Sequence, residues 1–128
     1  MAGSFETLNI WQKGYELLMR VYQVTAHYPI EERYGLVTDT RRSANSIIAN
    51  IAEAHGRFYF ADKIRVLYQA RGEVEEIRSH LKVGYGLKFL TEEEFLSFDK
   101  EYEGLSVGIS SYIKFLGRSK RNLNQNLN

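Results

Sequence analysis

Hydrophobic residues recur at helical spacing along four stretches of the chain, and short polar or glycine-containing segments separate these stretches. The clearest stretch runs from Tyr34 to Arg57, where apolar positions follow one another at steps of three and four. This repeat is typical of a helix that buries one face. The buried row consists of Val37, Thr40, Ala44, Ile47, Ile51 and Ala54, with Ile48 beside it. The pattern predicts a helix over about residues 35–55.

The other three stretches predict helices over about residues 7–27, 60–87 and 92–116. Their apolar rows are Leu8, Trp11, Tyr15, Leu18, Tyr22 and Thr25, then Phe60, Ile64, Leu67, Ala70, Val74, Ile77, Leu81 and Gly84, and then Phe95, Phe98, Tyr102, Leu105, Ile109, Tyr112 and Leu116. Pro29 ends the first helix, because the residue before a proline is pushed out of the helical conformation. Thr91 and Glu94 predict a capping box at the start of the fourth helix.

Four amphipathic helices joined by short links predict an all-α fold, a left-handed, antiparallel, up-down-up-down four-helix bundle. Gly72 costs the third helix about 1 kcal/mol relative to alanine, and a close approach of another helix would explain it. Gly117 is expected to end the fourth helix, since glycine readily adopts the left-handed conformation that closes helices. The predicted organisation is an N-terminal arm over residues 1–6, the bundle over 7–117 and a flexible, basic, Asn-rich tail over 118–128.

The second helix has another face that differs from an ordinary solvated surface, because it is made largely of small residues. Small residues let a second backbone come close, and Arg and Asn can hydrogen-bond across such a contact. The face carries Arg41, Asn45, Ala49, Ala52, Glu53 and Gly56. We interpret it as an interface between copies of this chain, a homo-oligomer. A solvated face rich in helix-favouring alanine is the alternative.

The composition narrows the classes of function. The 128 residues include no cysteine, which excludes disulfides, thiolate metal sites and cysteine nucleophiles. No apolar run approaches the roughly 20 residues of a membrane span, and no secretion signal is visible, so we expect a cytoplasmic protein. The three histidines have no partner at metal-ligand spacing, and no nucleophile or phosphate-binding motif occurs. We therefore expect no enzyme activity, no metal, no cofactor and no small-molecule substrate.

Charge is distributed unevenly although the net charge is only +1. Residues 33–71 hold seven Lys and Arg against three acids, residues 72–103 hold four against nine, and residues 104–128 hold four against none. The candidate nucleic-acid contacts are Arg41, Arg42, Arg57, Lys63, Arg65 and Arg71. Phe58 and Tyr59 lie near enough to stack on bases. The alternative is that these cations only solubilise the surface, because dedicated nucleic-acid binders are usually strongly basic.

Several short motifs along the chain resemble one known family. They are Leu8-Asn9-Ile10-Trp11-Gln12, Val21-Tyr22, Thr25, Tyr28-Pro29, Glu32-Arg33-Tyr34-Gly35-Leu36, Arg41-Arg42-Ser43-Ala44, Ser46-Ile47, Asn50-Ile51-Ala52-Glu53, Gly56-Arg57, Ala70-Arg71-Gly72 and Glu76. Together they resemble the four-helix-bundle proteins encoded in intervening sequences of bacterial 23S ribosomal RNA genes, over roughly Phe5 to Leu116. The chain departs from that pattern at Ile48, where the family often has proline, at Ala54, where it has glycine, and at Glu73, where it has a small hydroxyl residue.

The resemblance implies a bacterial, ring-forming and pentameric bundle whose biochemical role is poorly defined. A bundle family related by fold serves as the accessory factor of diversity-generating reverse transcriptases and binds nucleic acid through a basic ring. Our leading hypothesis is therefore a non-enzymatic oligomer that associates with RNA or a nucleoprotein. A protein–protein scaffold, or an accessory factor of such a reverse transcriptase without RNA specificity of its own, is the alternative.

Overall fold

The computed structural model describes residues 3–127, and the side chains of residues 3–124, as a bundle of four helices. The helices are α1 (Asn9–Thr25), α2 (Leu36–Gly56), α3 (Phe60–Gly86) and α4 (Glu92–Leu127), with single 3₁₀ turns at Phe5–Thr7 and Ile30–Glu32. No strand occurs over residues 3–127. The predicted all-α four-helix bundle is confirmed. None of the helices in this range is long and apolar enough to cross a membrane.

Contacts between α1 and α2 show that the two helices run in opposite directions. Gly14 of α1 lies against Ile48 of α2, whereas Thr25, eleven residues further along α1, accepts a 2.9 Å hydrogen bond from Nε of Arg41. Advancing along α1 therefore means retreating along α2. The same reversal holds between α1 and α4, where Ile10 lies against Gly108 and Arg20, further along α1, donates to Oγ of Ser97 at 3.1 Å. The left-handed supercoil stays a prediction.

Arg78 joins α3 to α4 at the middle of the bundle. Its guanidinium donates to both carboxylate oxygens of Asp99, at 2.8 and 3.2 Å, and the hydrogen bond to Asp99 raises the pKa of Arg78 above its ordinary value. Planar two-point pairing of this kind fixes orientation as well as distance. Further along, Arg71 donates to Oγ of Ser110 at 3.1 Å, which shows that α3 and α4 are antiparallel too.

The predicted apolar row of α2 is buried along its whole length, so the assignment of its core face is correct. The row of α1 is only partly as predicted, because Leu18 and Thr25 are buried and Leu8 and Trp11 are half-buried. Its buried positions are Gly14, Leu17, Leu18, Val21 and Thr25, whereas Tyr15 and Tyr22 are each 46% exposed. The close approach at Gly14 turns that side of α1 inward, and the two phenol rings remain at the rim, where their hydroxyls reach water.

Two helix ends differ in how well the sequence predicted them. The capping box is confirmed, because the backbone N–H of Glu94 donates to Oγ1 of Thr91 at 3.0 Å and that of Thr91 donates to the Glu94 carboxylate at 2.9 Å. The predicted stop at Gly117 is wrong: α4 continues to Leu127, and the expected flexible tail is helical over 118–127. Residue 128 lies outside the described residues.

The extension of α4 has a physical cause. A glycine costs a helix only about 1 kcal/mol, no proline follows Gly117, and Gly117 does not adopt the left-handed conformation. Lys120 and Leu123 continue the spacing of the buried row and lie beside the start of α3. The predicted N-terminal arm also packs on the bundle, since the ring of Phe5 is 5.0 Å from that of Trp11. Residues 1–2 of that arm lie outside the described residues.

Glycines mark where helices come close, but not where the sequence suggested. A Cβ on Gly72 would meet nothing within 4 Å, so no helix approaches it and that expectation is wrong. A Cβ on Gly14 would lie 2.5 Å from Cγ2 of Ile48. At such a distance the Ile48 side chain or one of the two helices must shift. The α1–α2 contact therefore needs glycine at position 14.

Replacing these two glycines with alanine should change the stability of the fold in opposite directions. We expect Gly14→Ala to lower the free energy of unfolding by about 1 kcal/mol net, because the cost of overpacking exceeds the gain in helix propensity. Gly72→Ala, on an open and exposed helix surface, should raise it by about 1 kcal/mol. Urea denaturation followed by circular dichroism measures both. Changes of the same sign would contradict the assigned packing.

Candidate nucleic-acid interface

The antiparallel arrangement gathers the α2–α3 turn and the end of α4 at one end of the bundle. We call residues 53–65 and 114–124 the basic end. This end holds seven Lys and Arg against two acids. The opposite end, residues 26–35 and 87–94, holds five acids against two cations. The small net charge of the chain therefore conceals a molecule with one positive and one negative end.

An aromatic pair protrudes from the basic end. Only residues 57–59 separate α2 from α3, and the extended backbone of Arg57 and Tyr59 holds the turn open. Phe58 is 86% exposed and Tyr59 is 66% exposed. Their ring centroids are 5.0 Å apart in an edge-on arrangement. Flat, solvated rings among cations are the surface on which unpaired bases stack.

The three predicted cations of the basic end, Arg57 in the turn and Lys63 and Arg65 in α3, have different surroundings. Arg57 pairs at 3.0 Å with Glu53, one helical turn away, and both side chains are largely exposed. Such a pair is worth at most about 1 kcal/mol, so a phosphate can replace the carboxylate. Arg65 is exposed and makes no hydrogen bond or ion pair with the described residues. Lys63 instead donates to the carbonyl oxygen of His55 at 2.8 Å and stabilises the end of α2.

The other three predicted cations lie away from the basic end, each on a different helix seam. Arg41 is half-buried against α1, with its guanidinium 4.4 Å from the centre of the Tyr22 ring. Arg42 pairs with Glu76 of α3 at 2.5 Å. Arg71 bonds to α4 and lies over the ring of Tyr68. The predicted set of six therefore does not form one surface.

The helical end of α4 places further cations at the basic end. The flexible tail that the sequence predicted would have given these cations no fixed position. Arg118, Lys120 and Arg121 lie on the helical extension, and Lys120 lines a cavity together with Tyr59. The signal was present in the sequence, since Leu116, Lys120 and Leu123 continue the steps of four and three beyond Gly117.

A group of charged side chains lies where α3 faces α2. Glu76 pairs with Arg42 and is 3.4 Å from a ring nitrogen of His80. The hydrogen bond from Arg42 lowers the pKa of Glu76. Oε2 of the neighbouring Glu73 is buried with no hydrogen-bond partner. Burial raises the pKa of Glu73, and the negative charge of Glu76 raises it further.

The predicted oligomer interface lies on the outside of α2. Asn45, Ala49, Glu53 and Gly56 are exposed, and Arg41 and Ala52 are half-buried. The exposed aromatic residues of α1 lie on the side of α1 that borders α2, as the contact between Tyr22 and Arg41 shows. Together they give a largely open surface of small residues beside larger apolar ones.

The chain is similar to known proteins in two ways, by its sequence and by its fold. A family model described as 23S rRNA-intervening sequence protein matches residues 6–111. Among solved structures, the fold is similar to a crystal structure of a protein of unknown function from the S23 ribosomal protein family of Bacteroides thetaiotaomicron, with a TM-score of 0.76. The two sequences are 25% identical, and the match covers 82% of this chain and 95% of that chain. No curated protein matches the sequence.

The shielded carboxylate of Glu73 gives a pH-dependent prediction. Its pKa in the folded state lies above the ordinary value of 4.5, so the fold loses stability as the pH rises through that raised pKa. Glu73→Gln should therefore increase the melting temperature by a few degrees at pH 7, and the gain should vanish below about pH 4.5. Differential scanning calorimetry between pH 4 and 8 measures the effect.

Glu16→Gln is the matched control, because Glu16 is exposed on α1. It should leave the melting temperature unchanged across the same pH range. A gain for Glu73→Gln that is equally large at pH 4 and pH 7 would show that the charge of Glu73 is not its cause.

Proposed function

The chain belongs to the family of 23S rRNA-intervening sequence proteins, and from this premise we propose that it is a non-enzymatic, cytoplasmic homo-oligomer that associates with RNA or a nucleoprotein. The observation that carries the proposal is the exposed pair Phe58 and Tyr59 within the basic end. Single exposed apolar residues are common on protein surfaces. Two adjacent aromatic rings can stack on the bases of single-stranded RNA, and the weakly paired cations beside them can bind its phosphates.

Charge placement supports this reading over a purely solubilising role. Cations that only keep a protein soluble would be spread among acids, but residues 114–124 contain four Lys and Arg and no acid. The phosphate contacts we propose are Arg57 and Arg65 of the turn and Lys120 of α4, with Arg118 and Arg121 nearby. Arg41 and Arg71, bound into helix seams, are left out of this set, as is Lys63, which caps α2.

The open face of α2 supports the proposed oligomer. We propose that Asn45, Ala49 and Ala52 of one copy pack against a neighbouring copy, in a pentamer as the family resemblance implies. Side-by-side packing would leave the basic ends free, and several weak sites on one ring bind RNA more tightly than one. The same apolar surface would serve the alternative, a scaffold that docks another protein, so the RNA experiment decides between the two.

Replacing Arg57 and Arg65 with Glu should weaken RNA binding. Fluorescence anisotropy with a labelled single-stranded RNA, at 50 to 200 mM salt, measures affinity and its salt dependence. We expect the double variant to bind at least tenfold more weakly at 50 mM. The slope of log affinity against log salt should be shallower by about 1.4, since each lost phosphate contact contributes roughly 0.7 for single strands.

Arg33→Glu with Lys100→Glu is the matched control: it changes charge equally at two exposed residues outside the basic end, and both affinity and slope should change far less. Phe58→Ala with Tyr59→Ala should weaken binding but keep the slope, because stacking releases no counterions. If the unaltered protein binds no RNA at 50 mM salt, the proposal is wrong and the scaffold remains.

The mass of the protein in solution tests the proposed interface on α2. Ala49→Glu should convert the oligomer into single chains at micromolar concentration, because a buried, unpaired carboxylate is costly in a tight interface. Size-exclusion chromatography with light scattering measures the mass. Gln69→Glu adds the same charge at an exposed position of α3 and should leave the mass unchanged. An unaltered protein that runs as a single chain would exclude the oligomer.

A further inference from the structure

A cavity of about 360 Å³ opens beside the exposed aromatic pair of the basic end. Residues 59–62, at the start of α3, form one wall, and Lys120, Leu123 and Asn124 of α4 form the other. The volume lies at the lower end of the range for small-ligand sites. Tyr59 is 66% exposed and Leu123 is 48% exposed. The cavity therefore combines accessible apolar side chains with the polar groups of Asp62, Lys120 and Asn124.

Asp62 is the one acid among the residues that line this cavity. It is half-buried, yet among the described residues it forms no ion pair with Lys120 or with any other cation. The other acid of the basic end, Glu53, is paired with Arg57. A carboxylate in a positive region, half-shielded and unpaired, has acceptor capacity that the bundle does not use.

From this arrangement we infer that the cavity binds one unpaired guanine base of the RNA. The inference rests on the proposed function and specifies the base that the basic end prefers. Tyr59 stacks on the base. The Asp62 carboxylate accepts hydrogen bonds from the N1–H and the 2-amino group, and the Asn124 amide donates to O6. Lys120 neutralises a neighbouring phosphate.

The chemistry of the four bases selects guanine. Only guanine presents two adjacent donors on its Watson–Crick edge, which matches the two oxygens of a carboxylate. Uracil offers one N–H flanked by two carbonyl oxygens, and adenine and cytosine offer one amino group beside a ring nitrogen acceptor, which a carboxylate repels. Discrimination by a good two-point contact of this kind is about tenfold or more.

The test compares two labelled ten-residue RNAs, all uridine and uridine with one central guanosine, by fluorescence anisotropy at 50 mM salt. The unaltered protein should bind the guanosine-containing RNA about tenfold more tightly. Asp62→Asn should abolish this ratio, even if the lost negative charge strengthens the binding of both RNAs. Inosine in place of guanosine lacks the 2-amino group and should remove most of the preference without any change to the protein.

Glu6→Gln serves as the control variant, because it removes one exposed acid close to the basic end without touching the cavity; it should keep the tenfold ratio. Equal binding of both RNAs by the unaltered protein would overturn the guanine site and leave the proposed RNA association standing. A ratio that survives Asp62→Asn would also overturn it. Binding of neither RNA would overturn the proposed function and this inference with it.

Discussion

The rotation of α2 about its own axis determines most of what this molecule presents to its surroundings. The rotation of α2 between α1 and α3 is fixed by its buried residues, which include Val37, Ala44, Ile47 and Ile51. One flank then directs Arg41 toward α1, and the other directs Arg42 toward Glu76 of α3. The side opposite the core consists of small residues, Ala49 among them. Core packing thus decides which polar groups hold the bundle together and which are left for partners.

The structure thus distinguishes two kinds of cation that look alike in the composition. Arg41, Lys63 and Arg71 donate to hydroxyl or carbonyl oxygens at helix seams and ends, so redirecting them would cost those hydrogen bonds. Arg57 and Arg65 cost little to redirect, since one has an exposed carboxylate as partner and the other is exposed. A chain with almost no net charge can therefore still offer a concentrated positive surface.

How far the sequence predicted this structure depends on the kind of interaction concerned. The family resemblance, the four helices, the core row of α2 and the Thr91–Glu94 cap were predicted correctly, because each rests on local spacing or on a local hydrogen bond. The row of α1 was predicted only in part, because the burial of Gly14 depends on its contact with Ile48, a residue far away in the sequence. The stop at Gly117 is wrong because a glycine disfavours a helix by only about 1 kcal/mol, and Lys120 and Leu123, beside the start of α3, continue the spacing of the buried row. Of the six predicted cations only the pair at the turn stays in the candidate site, since membership requires knowing which helix each one faces.

Polarity and assembly constrain each other in the proposed oligomer. The face of α2 that would meet a neighbour runs along the bundle axis, whereas the charged ends lie at the tips. In a closed ring whose symmetry axis is parallel to the bundles, every subunit points the same way. All basic ends then lie on one face of the ring and all acidic ends on the other.

Like charges gather on the basic face, and the repulsion between them is relieved when a polyanion binds. A two-fold dimer through the same face, with its axis perpendicular to the bundles, would instead place a basic end beside an acidic one and neutralise both. Among closed assemblies built on α2, those with a symmetry axis parallel to the bundles are thus the ones that would gather the proposed RNA-binding surfaces on one side.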